Sequence, residues 1–400
     1  MFLKRLKEFD FILLLLSFLI IGSGLTTVYS ANQTLFYKQC IWVSVGLIGC
    51  LAFYLFPLKY LNMFSSIFYV ASIFLLIVVR LVGSGPGGTH RWLKLGFFQL
   101  QGSEVAKLGT IFLIASFMSN KKFEVKKLRN LIVPIVLCLL PCLLILIEPD
   151  LGSSLVFIFL AGFLPFYKGT PWLYLFTLVS PVIAIIAGAH WISLAIYLIL
   201  MLLILYWRRV PLNEIITIFL INLICGSLTP IVWNHFLKPY QKMRIESFIV
   251  PSKDPQGMGW QIKQSKIAIG SGGLLGKGFM QGTQKGFDFL PEAHTDFIFA
   301  VVSEEFGFVG CFALLFFFFL LVLKSILIAK ASRSNFNRYL AIGIAGIIVF
   351  QVIVNTGMAA GVMPVVGVPL PFVSYGGSNM LVSLAMIGLM LNIYAHRYEY

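Results

Sequence analysis

An all-α bundle of membrane-crossing helices is the fold this sequence predicts, and three observations predict it. Apolar residues fill 59% of the 400 positions and charged residues only 11%, against roughly 25% charged in a soluble domain. Apolar runs of about 20 residues recur along the chain, each long enough to cross a ~30 Å hydrocarbon core as a helix. No ten-residue alternation of apolar and polar positions is visible, so the spans are helices and not barrel strands.

Twelve spans are expected, near residues 10–30, 38–56, 61–83, 104–119, 131–148, 152–167, 171–188, 190–207, 214–235, 296–323, 339–362 and 373–395. The first resembles a secretory signal, but with so many spans behind it a retained helix is expected. Positive charge collects in alternate short connections: five Lys/Arg in "NKKFEVKKLRN", two in "YWRRVPLN", four in "LKSILIAKASRSNFNR", with Lys4, Arg5 and Lys7 before the first span. The positive-inside rule then puts both termini in the cytoplasm. Two long connections, 84–103 and 235–295, face outward. The second carries eight Lys/Arg, a basic surface suited to an anionic partner or simply a solubilising run. The six cysteines lie in or beside apolar runs with no metal-type spacing and act as small hydrophobes.

Several motifs bear on function. "AIGSGGLLGKGF" nearly matches a phosphate-binding loop, but Ser271 replaces the first glycine and Gly278 the Ser/Thr that would meet magnesium, so nucleotide binding is rejected. "GVMPVVGVPLPFVSYGGSN" breaks the chain between the last two spans. Irregular backbone at that depth must be covered by protein or line a watery cavity, which makes this segment, with Ser374 and Tyr375, a candidate pocket wall. Glu148 and Asp150 close the fifth span. Arg91 and Trp92 suit an interfacial anchor, and Glu104 and Lys107, three apart on one helix, can pair with each other. The densest cluster is "FLPEAHTDFIFAVVSEEFG", with Glu292, His294 and Asp296 at a helix start and Glu304 and Glu305 about 12 Å deeper. A lone Asp there would be a helix cap. In this company it marks an outward-facing polar site lined by carboxylates.

"FLPEAHTDFIFAVVSEEFG", "QSKIAIGSGGLLGKGFMQGTQ", "RWLKLG" and "PLPFVSYGGS" together resemble the SEDS family of RodA, FtsW and SpoVE proteins, nearest its RodA branch. The resemblance runs from about residue 80 to the carboxyl terminus. It implies a peptidoglycan glycosyltransferase that polymerises lipid II at the outer face of the cytoplasmic membrane during elongation. It also implies a class B penicillin-binding protein as transpeptidase partner, other elongation-complex membrane proteins around it, and no nucleic acid. The family's essential aspartate falls on Asp296, its Arg-Trp pair on Arg91 and Trp92, its Glu and Lys on Glu104 and Lys107, and its Tyr-Gln-Arg motif on Tyr240, Gln241 and Arg244. Asp296 is the expected general base, with Glu292 or His294 to orient it and Arg91, Lys107 and Arg244 to hold pyrophosphate. No cofactor is required by these residues; a divalent cation, magnesium or manganese, is compatible, with no ligands assigned. The family usually has ten spans, so 170–209 reads as an inserted helical pair. A lipid II flippase is the alternative function, against which stands the absence of a visible inverted repeat.

Overall fold

The computed structural model describes residues 9–85, 90–96, 98–120, 123, 128–236, 239–250, 254, 257–283 and 293–399. Lys4, Arg5, Lys7, Lys121, Lys122, Lys126, Lys127 and Glu292, all invoked above, lie outside the described residues. Helices α1 (Phe11–Ala31), α2 (Gln33–Leu55), α3 (Leu58–Met63) and α4 (Ser65–Val82) lead to a hairpin of β1 (Trp92–Leu95) and β2 (Phe98–Gln101). Then come α5 (Gly102–Ser119), α6 (Leu128–Ile147), α7 (Leu151–Lys168), α8 (Trp172–Ala187), α9 (Trp191–Trp207) and α10 (Leu212–Ile231). Two shorter helices follow, α11 (Pro239–Ile249) and α12 (Met258–Ser271), and then α13 (Ile298–Ala331), α14 (Asn335–Ala359) and α15 (Gly377–Ala395).

Every expected span coincides with helix, the third as α3 and α4 together. Among the described residues nine helices are long and apolar enough to cross a membrane. The other three stretches fall short for visible reasons: α5 carries Glu104 and Lys107, while α8 and α9 have only 16 and 17 residues. Boundaries moved where caps decide them. Asn32 accepts hydrogen bonds from the amides of Thr34 and Leu35 at 3.0 and 3.2 Å, which starts α2 five residues before the expected edge. Helix α13 runs past residue 323 to Ala331, and Lys324 meets Asp10 at 3.1 Å along it. Neither long connection is plain loop. Residues 84–103 contain an antiparallel hairpin, with Trp92 opposite Gln101, and 235–295 contains α11 and α12.

The bundle is built around α15, nearly all of whose residues are buried. Lipid supplies no hydrophobic drive between helices, so close backbone approach has to do the work. Gly388 on α15 faces the Cys50 carbonyl of α2 so closely that an added Cβ would sit 2.2 Å from its oxygen, and Asn392 donates to the carbonyls of Phe53 and Phe56 at 2.8 and 2.6 Å. Gly388→Ala is therefore expected to force α2 and α15 apart at a cost of about 1–3 kcal/mol, read as a lower unfolding temperature in detergent. Gly49 on α2, where an added Cβ meets nothing within 4 Å, is the matched site at which the same change should cost nothing.

Helices α8, α9 and α10 share a small core of their own around Leu198, Met201, Leu205 and Ile218. A buried polar knot joins them: Asn222 donates to the Ser180 hydroxyl at 2.9 Å, and Tyr197 donates to the Ser180 carbonyl at 2.9 Å and to the Asn222 amide oxygen at 3.1 Å. Each polar group in this knot is answered from a neighbouring helix, as a membrane interior demands.

Candidate active site

The site is assembled at one end of the bundle, which the hairpin marks. The turn 293–297 leads into α13, whose cap position is Phe297 without a side-chain cap hydrogen bond, so Asp296 is not the cap residue. Three partners hold the backbone of this turn. Asn355 of α14 donates to the carbonyls of Asp296 and Val368 at 3.0 and 2.8 Å. Ser374 donates to the Thr295 carbonyl at 2.7 Å while accepting from the Leu370 amide at 2.8 Å. The Tyr375 amide donates to the His294 carbonyl at 2.9 Å, and the two rings stand edge to face, 5.9 Å apart. Gln39 of α2 completes the clamp, donating to the Ser374 carbonyl at 3.4 Å and accepting from the Gly376 amide at 3.2 Å.

The Pro/Gly-rich segment between α14 and α15 thus wraps the aspartate. At Gly367, φ is +80°, so a side chain there would strain the backbone, and an added Cβ would lie in van der Waals contact with Asp296 Oδ2 at 3.5 Å. On its other flank this segment meets α7: a Cβ at Gly152 would lie 2.5 Å from the Val366 carbonyl oxygen. Asp150 caps α7 by accepting from the Ser153 amide and hydroxyl at 3.2 and 2.8 Å, and it also accepts from Gln101 at 3.2 Å. The hairpin is sewn to the same end by Ser378, which donates to the Gln99 carbonyl at 2.8 Å and accepts from the Gln101 amide at 3.0 Å.

His294, Asp296, Ser374 and Tyr375 are therefore brought together. Arg91 reaches the same end but grips backbone: its Nε donates to the Glu148 carbonyl at 3.3 Å and a terminal nitrogen donates to the Pro149 carbonyl. Arg91→Lys is expected to loosen this turn by about 1–2 kcal/mol, because one ammonium cannot reproduce a fork that serves two carbonyls; limited proteolysis between α6 and α7 reads it. Trp92 begins β1 beside this contact. Glu104 and Lys107 form an ion pair within α5 at 2.7 Å, Lys107 being only 2% exposed, so this ammonium answers its own helix. Tyr240, Gln241 and Arg244 share α11, which packs on α12, and α12 in turn on α13 and α14.

Glu304 and Glu305 are both buried and are engaged by other elements. The Glu304 side chain anchors the glycine-rich stretch, and the Glu305 carboxylate meets α1. Glu304 accepts from Lys277 Nζ at 2.6 Å and from the Thr283 amide and hydroxyl at 2.9 and 2.8 Å, and Glu305 accepts from Ser30 at 2.5 Å. The amides of Lys277 and Gly278 donate to the carbonyls of Glu304 and Glu305 at 2.9 and 3.1 Å, while those of Phe308 and Val309 donate back to Gly273 and Leu274 at 2.9 and 3.1 Å. This exchange needs α13 to break its helical path at Gly307, where φ is +63° and ψ is −161°, a conformation open to glycine alone. Among the described residues no group of three or more His, Cys, Asp or Glu converges as metal ligands, so the geometry assigns none to a divalent cation.

Gln39 and Asn355 escape sequence reasoning. Their signal is a lone amide at the margin of an apolar run, which nothing local connects to Asp296.

An apolar helical bundle that closes one end over a turn carrying a carboxylate, the turn's backbone held from α14 and the segment before α15, defines a polytopic membrane protein with a polar site at that end. The family model FTSW_RODA_SPOVE, described as "Cell cycle protein", matches residues 6–199 and 192–399, and the chain belongs to this family. It is similar to the peptidoglycan glycosyltransferase MrdB of Escherichia coli (strain K12), with 34% identity over 387 residues covering 96% of this chain and 93% of that one. The peptidoglycan glycosyltransferase RodA of Treponema pallidum is 29% identical over 439 residues, covering 99% of each. Among solved structures, a chain described under the structural coordination of polymerization and crosslinking by a peptidoglycan synthase complex matches with a TM-score of 0.75 and 29% identity, over 98% of this chain and 99% of that one. The rod shape determining protein RodA of Thermus thermophilus matches at 0.65 with 27% identity, over 98% of each.

Proposed function

We propose that this chain is a peptidoglycan glycosyltransferase of cell elongation, polymerising lipid II at the outer face of the cytoplasmic membrane with Asp296 as general base. The observation that carries the chemistry is the fixed aspartate. Its turn is held by Asn355 of α14 and by the segment before α15, which Gln39 of α2 braces, and its carboxylate faces the turn at Gly367. Family membership and two glycosyltransferase relatives matched over nearly the whole chain support the activity.

Chain growth joins a sugar hydroxyl to the anomeric carbon of a lipid-linked donor and displaces undecaprenyl pyrophosphate. In the inverting form, Asp296 takes the hydroxyl proton as the new C–O bond forms, a contribution of typically about 10²–10⁴-fold. The pyrophosphate leaves as an anion, so neighbouring cations replace the acid partner that a glycosidase needs. The outward orientation rests on the placement of charge. Lys168, Arg208, Arg209, Lys324, Lys330, Arg333, Arg338 and Arg397 stand at or near the ends of helices remote from Asp296, as expected of a cytoplasmic face. A class B penicillin-binding protein is the proposed partner, in keeping with the synthase complex that supplies one structural match.

Purified chain in detergent with lipid II, alone and with the transpeptidase, tests the proposal against a flippase. Glycan strands longer than a disaccharide are expected. Lipid II left intact in both conditions would defeat it.

A further inference from the structure

Helices α8 and α9 form a helical hairpin that is short for a bilayer. Helix α7 leaves the end of the bundle that carries Asp296, where Gly152 meets Val366, and finishes at Lys168 on the opposite side. Helix α8 starts from that far side and α9 returns to it, so the connection at 188–190 points back toward the Asp296 end. The 16 residues of α8 rise about 24 Å and the 17 of α9 about 25 Å, against a ~30 Å hydrocarbon core. Tilting would shorten their reach further. The adjoining stretch Leu212–His235, which contains α10, has 24 residues and spans with length to spare.

Both rims of this hairpin carry groups suited to a headgroup surface. At the base, Arg208 Cζ lies 5.4 Å from the ring centroids of both Trp172 and Trp207, an aromatic and cationic anchor. At the tip His190 is exposed and Trp191 is 80% exposed. Between the rims the outer face of α9 is apolar, with Ile192, Ile196, Ile199 and Leu203 all exposed. The hairpin is also locked in register and cannot slide to meet a thicker membrane. Thr229 of α10 donates to the Ile185 carbonyl at 3.1 Å, and a Cβ added to Gly188 would sit 2.2 Å from the Gly226 carbonyl oxygen. The knot of Ser180, Tyr197 and Asn222 ties all three helices below that point.

We propose that the α8–α10 unit draws phospholipid headgroups inward along its flank and thins the bilayer there by about 5 Å. The partner is the lipid surface itself, recognised by hydrophobic length. A rigid apolar band between two amphipathic rims favours short acyl chains and compresses long ones. The depression falls on the Asp296 side, because pulling Arg208 and Arg209 into hydrocarbon costs more than moving headgroups down to Trp191. This inference rests on helix length and register, and it stands whether or not the chain makes glycan.

The test uses the full chain in nanodiscs of monounsaturated phosphatidylcholine with acyl chains of 14, 18 or 22 carbons. Hydroxyl-radical footprinting, read by mass spectrometry, compares oxidation of Trp191 at the tip with that of Trp207 at the base in the same sample. A bilayer that thins to the hairpin wets both rims at once, so the two rates are expected to agree within about twofold in the 14- and 18-carbon discs. In the 22-carbon discs the compression is greatest, and the Trp191 rate is expected to fall at least about fivefold below that of Trp207. A Trp191 already about tenfold slower in 18-carbon discs would mean a tip sunk beneath a flat leaflet, and would overturn the proposal. So would a ratio that ignores chain length through 22 carbons, the mark of a fixed aqueous crevice. Neither result bears on glycan synthesis, which the Asp296 variant tests separately.

Discussion

Asp296→Asn is expected to insert and fold like the parent and to lose glycan synthesis by at least about 10²-fold. Asn is isosteric and keeps an oxygen acceptor, but its amide cannot take a proton from a sugar hydroxyl. The fold has little to lose from the change. The cap position of α13 is Phe297, and the contacts from Asn355, Ser374 and Tyr375 all end on backbone carbonyls of residues 294–296. These do not depend on the Asp296 side chain. The measurement is strand synthesis from lipid II beside the unfolding temperature of both proteins. Near-normal strands from a well-folded variant would remove Asp296 as base. A variant that is inactive because it unfolds would show the aspartate to be structural.

Glu304→Ala should be the most damaging single change outside that turn. One Glu304 oxygen collects Lys277 Nζ and the Thr283 amide and hydroxyl, and the carboxylate is buried while Lys277 keeps a route to solvent. Truncation leaves three donors without their acceptor and costs about 3 kcal/mol, the low end for breaking a buried pair, because the lysine can rehydrate. Amide exchange at Lys277 and Gly278, which donate to the carbonyls of residues 304 and 305, is expected to accelerate strongly. Unchanged protection of both amides would mean that backbone pairing across Gly307 alone holds the glycine-rich stretch.

Much of the architecture was legible in advance because bilayer thickness imposes a length on each span. Every apolar run became helix, and a cap such as Asn32 shifted only an edge. Partnerships across long sequence distances were another matter. Ser30 and Glu305 are 275 positions apart and Gln39 and Ser374 are 335 apart, and no local pattern announces either pair. Glu304 and Glu305 were read as site residues because carboxylates inside a span suggest function. The Glu304 side chain holds a loop, which the helix break at Gly307 lets approach, and that of Glu305 meets Ser30. The hairpin at 92–101 was hidden because its strands have only four residues each.

The amino-acid order by itself determined that this chain lives in lipid and where its helices run. Those properties follow from apolar length and from residues adjacent along the chain. Tertiary packing alone decided which carboxylate stands at the site and which ones merely hold the scaffold. An ionised side chain in a bilayer is defined by the donors it meets, and here those donors arrive from distant helices.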